Sequence, residues 1–160
     1  MQAHDISLNA LPLYHCAQLD AFMTVDLHVG ATSILLRGAD PTVILETIER
    51  ARVSKFFCPP TVWIALLRHP DFDKRDLSSL RKGYSGASSF PPPVIEELAR
   101  RLPNMRLWNV YGQTEIAPVA TFLQPEDALR KIGSVGMPGL NIETRVLDDD
   151  DSELPPGEIG

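Results

Sequence analysis

Cysteine is scarce in this chain of 160 residues: Cys16 and Cys58 are the only two, and they form no paired motif. A disulfide framework is therefore excluded, and a reducing, cytoplasmic setting is expected. Basic residues are few and late. No Lys or Arg precedes Arg37, and 15 Lys and Arg stand against 21 Asp and Glu, a formal net charge of -6. That balance argues against nucleic acid or an anionic membrane as partner. Long apolar runs are also missing. The stretches at 22–36 and 62–67 are short or broken by Asp26, His28 and Gly30, whereas a spanning helix needs roughly 18 apolar residues. No transmembrane segment is expected, and residues 1–10 have neither the basic start nor the apolar stretch of a signal peptide.

Proline is what the chain has in excess, 14 residues in all, against a usual level of about 5%. The prolines cluster at Pro59-Pro60, Pro91-Pro92-Pro93 and Pro155-Pro156, which marks junctions between elements rather than an extended tract. The length fits one domain with one core. Mixed three- and four-residue apolar spacings predict a helix over 19–29, stopped at Gly30. A short apolar run follows over 31–36. Asp40-Pro41 then supplies a cap and a first-turn proline for a helix over 41–52. An aromatic strand is predicted over 55–58, a helix over 61–68, a charged loop over 71–76 and a strand over 80–84. After the three prolines, Val94, Ile95, Leu98 and Leu102 form one apolar helix stripe, and 105–110 reads as the next strand. This alternation predicts the α/β class, with a parallel sheet and crossover helices over 1–131. A β-rich tail over 132–160 is expected to be antiparallel, with a strand over 141–147 and a solvated turn at the four aspartates 148–151.

Ligands of parallel sheets bind beyond the carboxyl ends of the strands. Two segments fall there. Tyr84-Ser85-Gly86-Ala87-Ser88-Ser89 offers small residues and hydroxyls after a strand, or else is a plain strand-to-helix turn. Asn109-Val110-Tyr111-Gly112-Gln113-Thr114-Glu115 combines a ring for base stacking, a glycine for close approach, a hydroxyl for a phosphate oxygen and a hard oxygen ligand for Mg²⁺. That set suits a nucleotide with its metal. The alternative is a surface turn with a polar helix start.

Five segments in order carry a family resemblance: Pro12-Leu13-Tyr14-His15, Tyr84-Ser85-Gly86-Ala87, Tyr111-Gly112-Gln113-Thr114-Glu115, Lys131-Ile132-Gly133-Ser134-Val135-Gly136 and Gly157-Glu158-Ile159-Gly160. Together they resemble the adenylate-forming, AMP-binding acyl-CoA synthetases, and the apolar surroundings look most like a fatty-acyl-CoA ligase. The resemblance implies that ATP and a carboxylic acid give an acyl-adenylate and pyrophosphate, after which coenzyme A displaces AMP. It implies that Tyr111 stacks on adenine with Asn109, Gly112 and Gln113 nearby. Ser85, Gly86 and Ala87 would line the adenine and acyl slots, and His15 the acyl pocket. His15 could instead be a helix-start residue making a backbone hydrogen bond. Thr114 would contact the α-phosphate and Glu115 would hold Mg²⁺. The family's phosphate loop, ribose-binding aspartate and adenylation lysine have no counterpart here. Residues 1–160 are thus expected to form a single partial AMP-binding domain, the central part of a larger enzyme cut at both ends. Two other readings stay open: a non-catalytic remnant or interaction module, and an adenylation domain segment for an amino or aryl acid.

Overall fold

Helix starts in this chain follow from missing or satisfied backbone donors. In the computed structural model, which describes residues 1–160, the Asp40 carboxylate accepts from the amides of Thr42 and Val43 and opens α3 (Pro41–Ala51). Prolines in the first turn open α4 (Pro60–Leu67) and α5 (Pro92–Arg101), where their absent N–H is no loss. The earlier helical segment is continuous but irregular. It runs from α1 (Cys16–Gln18) through a π-helical turn (Leu19–Met23) into α2 (Thr24–Val29), and ends at Gly30 with φ +75°.

Between the helices lie β1 (Ile6–Asn9), β2 (Thr32–Leu35), β3 (Lys55–Phe57), β4 (Lys82–Gly86) and β5 (Arg106–Gly112), followed by β6 (Val119–Leu123) and the short β7 (Met137–Pro138). They form one sheet of order β2-β1-β3-β4-β5-β6-β7. Pairings from β2 to β5 are parallel, and β6 and β7 add on antiparallel. The α/β class is as the alternation of elements predicts. The tail differs in detail, because the antiparallel part begins at β6, ahead of residue 132. The strand expected over 141–147 does not form. Residues 143–151 are all exposed, so an alternating pattern there has no face to bury, and a single bridge joins Leu147 to Glu153. The aspartates make the expected turn, with Asp148 Oδ1 accepting from the amides of Asp150 and Ser152.

Strand alternation divides the core. Leu8, Phe56 and Leu107 pack with Ile44, Trp63, Leu66 and Leu98 from α3, α4 and α5. On the opposite face Phe57, Tyr84 and Val110 pack with Phe22 of the π turn. Beneath this second cluster Lys55 and Asp26 form an ion pair with both side chains fully buried. Burial depresses the Lys55 pKa, opposed by the hydrogen bond and charge of Asp26.

Candidate functional site

The parallel pairing of β4 with β5 places Ser85 opposite Asn109 and Gly86 opposite Val110. The segments 85–89 and 109–115 therefore leave the sheet side by side at its carboxyl edge. Here the glycines serve strand approach. A Cβ on Gly86 would lie 2.5 Å from the Val110 carbonyl oxygen, and one on Gly112 would lie 1.8 Å from that of Pro118. Both clashes involve backbone, so a side chain would push the strands apart.

Two clefts open on opposite faces of this edge and share Ala87, Val110, Tyr111 and Gly112. The first, about 400 Å³, is walled by Ala87 to Phe90, by Asn109 to Gly112 and by Ile132 to Val135. Its far wall is held in place by two bonds: Asn109 Nδ2 donates to the Ser134 carbonyl at 3.4 Å, and Thr121 Oγ1 donates to that of Val135 at 2.6 Å. The second cleft, about 280 Å³, has a polar mouth of His15, Gln113, Thr114 and Glu115 and an apolar floor of Phe22, Phe57, Val110 and Pro118.

Each residue singled out in the sequence has a definite place. Asn109 and Ala87 line the first cleft; Tyr111 and Gly112 line both; His15, Gln113, Thr114 and Glu115 line the second. Ser85 and Gly86 line neither. Ser85 is fully buried and its hydroxyl has no partner, while Gly86 is covered by Val110. His15 does two things at once: its Nδ1 accepts from the Ala17 amide at 3.2 Å, capping α1, and its ring stands at the second mouth. The 131–136 segment is brought to the first cleft, whereas 157–160 reaches neither.

Other residues of the site had no local signal in the sequence. Cys16 Sγ lies 3.2 Å from Thr114 Oγ1, tying the start of α1 to the turn after β5. Phe22 and Phe57 make the floor of the second cleft. Tyr84, although part of a motif, stacks on Trp108 with ring centroids 4.9 Å apart, and burial pushes its phenol up to about 12. Glu115 stands exposed, and no three His, Cys, Asp or Glu side chains cluster to hold a metal by themselves. A lone carboxylate of this kind suits Mg²⁺, which takes one or two carboxylates and completes its shell with phosphate oxygens and water. No Lys or Arg lines either cleft.

Over its whole length, residues 1–160, the chain matches the AMP-binding enzyme family. It belongs to that family. The AMP-binding chain is 33% identical over 160 residues to indoleacetate–CoA ligase of Aromatoleum aromaticum, covering 100% of this chain and 31% of that protein. It is 36% identical over 154 residues to medium/long-chain-fatty-acid–CoA ligase FadD8 of Mycobacterium tuberculosis, covering 96% of this chain and 26% of that one. Among solved structures it resembles O-succinylbenzoate coenzyme A synthetase of Bacillus subtilis in complex with ATP and magnesium ion. That match has a TM-score of 0.85 and 28% identity, covering 96% of this chain and 31% of that one. The chain thus spans less than a third of the length of these relatives.

Proposed function

We propose that this AMP-binding chain carries the nucleotide and acid contacts of an ATP-dependent acid–CoA ligase. The observation that carries the reading is the pair of clefts on opposite faces of one sheet edge, meeting at Tyr111 and the turn that follows it. A reaction joining a nucleotide phosphate to a carboxylate needs two differently shaped sites with their reactive ends together, and this edge has that form. In this reading the nucleotide occupies the first cleft, its base against the Tyr111 ring, with Asn109 and Gly112 around it and Gln113 at the adjoining mouth of the second. The acid inserts its apolar body over Phe22 and Phe57 and leaves its carboxylate at the polar mouth. Its oxygen then attacks the α-phosphorus and pyrophosphate departs. Negative charge grows on the α-phosphate oxygens, and the Thr114 hydroxyl would donate to one of them. Glu115 would hold Mg²⁺, which neutralises phosphate charge when bound. In the second half-reaction the coenzyme A thiol displaces AMP and leaves the thioester.

The floor of the second cleft indicates an apolar acid, of which a fatty acid is one kind and an arylalkyl acid another. Glu115 at the mouth is its one acidic lining residue, so an amino acid's ammonium group would find no counter-charge at the floor. Acid-dependent release of pyrophosphate from ATP by the protein at its natural length tests the function. Release that requires both acid and magnesium, followed by thioester formation with coenzyme A, is expected. Failure of every apolar acid to elicit release would favour a non-catalytic module.

A further inference from the structure

The floor of the second cleft is built on an unusual piece of helix. Residues in π-helical geometry are rare, well under 1% of all residues, and single π turns recur at functional sites. This turn, Leu19–Met23, delivers Ala21 and Phe22 to the cleft. Phe22 is only 3% exposed. Its ring lies parallel to that of Phe57, centroids 4.2 Å apart, and meets Tyr84 edge-on at 5.2 Å.

Two buried polar anchors flank it along the helix. Four residues before, Gln18 Nε2 donates to Asn9 Oδ1 at 2.5 Å. Four residues after, Asp26 pairs with Lys55, whose Nζ lies 5.6 Å from the centre of the Phe22 ring. Shifting the turn that carries the ring would move both anchors, and parting a buried ion pair leaves an uncompensated charge, while the ring itself is held by Phe57 and Tyr84. The floor is therefore stiff. Above it the cleft holds about 280 Å³, just under the ~300–1,000 Å³ common for ligand pockets.

We propose that Phe22 ends the acid cleft and sets its specificity, admitting compact acids such as aryl and arylalkyl acids and excluding long straight chains. The proposal rests on the reading of this cleft as the acid site. An aromatic body gains edge and face contacts with the stacked rings, whereas the tail of a long fatty acid meets Phe22 before it is covered.

The test is kcat/KM of the natural-length protein for cinnamate, hexanoate and dodecanoate, in wild type, Phe22→Leu and Phe22→Ala, with the KM for ATP read alongside. Wild type should favour cinnamate and hexanoate over dodecanoate by roughly tenfold or more, the scale on which a pocket discriminates by size. Both variants should raise the dodecanoate-to-cinnamate ratio by about tenfold with the KM for ATP unchanged. Should Phe22→Ala not fold, Phe22→Leu and the wild-type profile carry the same comparison. A wild-type enzyme equally good with dodecanoate overturns the proposal, as do variants that change all three acids in parallel, and the acid site itself stands in both cases. Absence of pyrophosphate release with any acid overturns the site reading and this inference together.

Discussion

Tyr111 is 48% exposed at the edge shared by both clefts. Replacing it with alanine should weaken ATP binding by about 1–3 kcal/mol, the range for stacking a base on an aromatic side chain, as titration calorimetry on the natural-length protein would read. Unchanged affinity would remove Tyr111 from the nucleotide site. Glu115→Gln keeps the shape and removes the charge. Adenylation by this variant should fall and should need more magnesium to saturate. A magnesium titration superimposable on wild type would contradict the metal role. The position of Tyr111 and Glu115 at the clefts was legible from their place after a strand. Ser85 and Gly86, expected beside them, line neither cleft, because Ser85 is buried and Val110 covers Gly86. Phe22 carried no local signal, since its role depends on rings and anchors from β1, β3 and β4.

The helices after prolines and the strands rich in aromatic or apolar residues were readable as elements. β1 was not. Ile6-Ser7-Leu8-Asn9 alternates apolar and polar residues over only four positions, and Ser7 and Asn9 are buried rather than solvent-facing. β6, the five-residue Val119–Leu123, was missed as well; it pairs antiparallel with β5 across a register shift at Tyr111/Gly112 and with β7 on its other side. The Asp26–Lys55 pair joins elements far apart in sequence and left no motif. Asp26→Asn should destabilise the fold by about 3–5 kcal/mol, because the ammonium is left buried and unpaired. Asp26→Leu combined with Lys55→Met should recover most of that loss. Urea midpoints of the single and double variants check this, and equal destabilisation by both would contradict it.

A second pair, Asp5 with Lys82 at 2.7 Å, fastens the start of β1 to β4. Burial alone would raise the Asp5 pKa, but the bonds from Lys82, Ser54 and the Gln2 amide outweigh it and hold the carboxyl below its usual range. The folded-state value is the lower one, so this stability is present above the unfolded value of ~3.9 and is lost as pH falls through the folded one. Asp5→Asn should therefore flatten the fall in stability on the acid side of that value. An unchanged acid slope would show that Asp5 contributes nothing there.

At the scale of the molecule, one sheet separates two clefts and lets them meet only at its carboxyl edge. Parallel strands fix that edge by backbone pairing, and helices on both faces keep it stiff; in the proposed reaction the nucleotide and the acid would be read by different surfaces and still meet. No helix is long and apolar enough to cross a membrane. Because no Lys or Arg lines either cleft, the 160 residues expressed alone should release no pyrophosphate, the leaving group having no positioned cation. Acid-dependent turnover by that chain, lost on Glu115→Gln, would contradict this. The most direct test of the two-cleft account is a crystal structure of the natural-length protein with a non-hydrolysable acyl-adenylate analogue. The account predicts adenine on Tyr111 in the first cleft, the linking phosphate at Thr114 and the acyl group over Phe22 in the second. A ligand confined to one face of the sheet, or bound away from Tyr111, would contradict it.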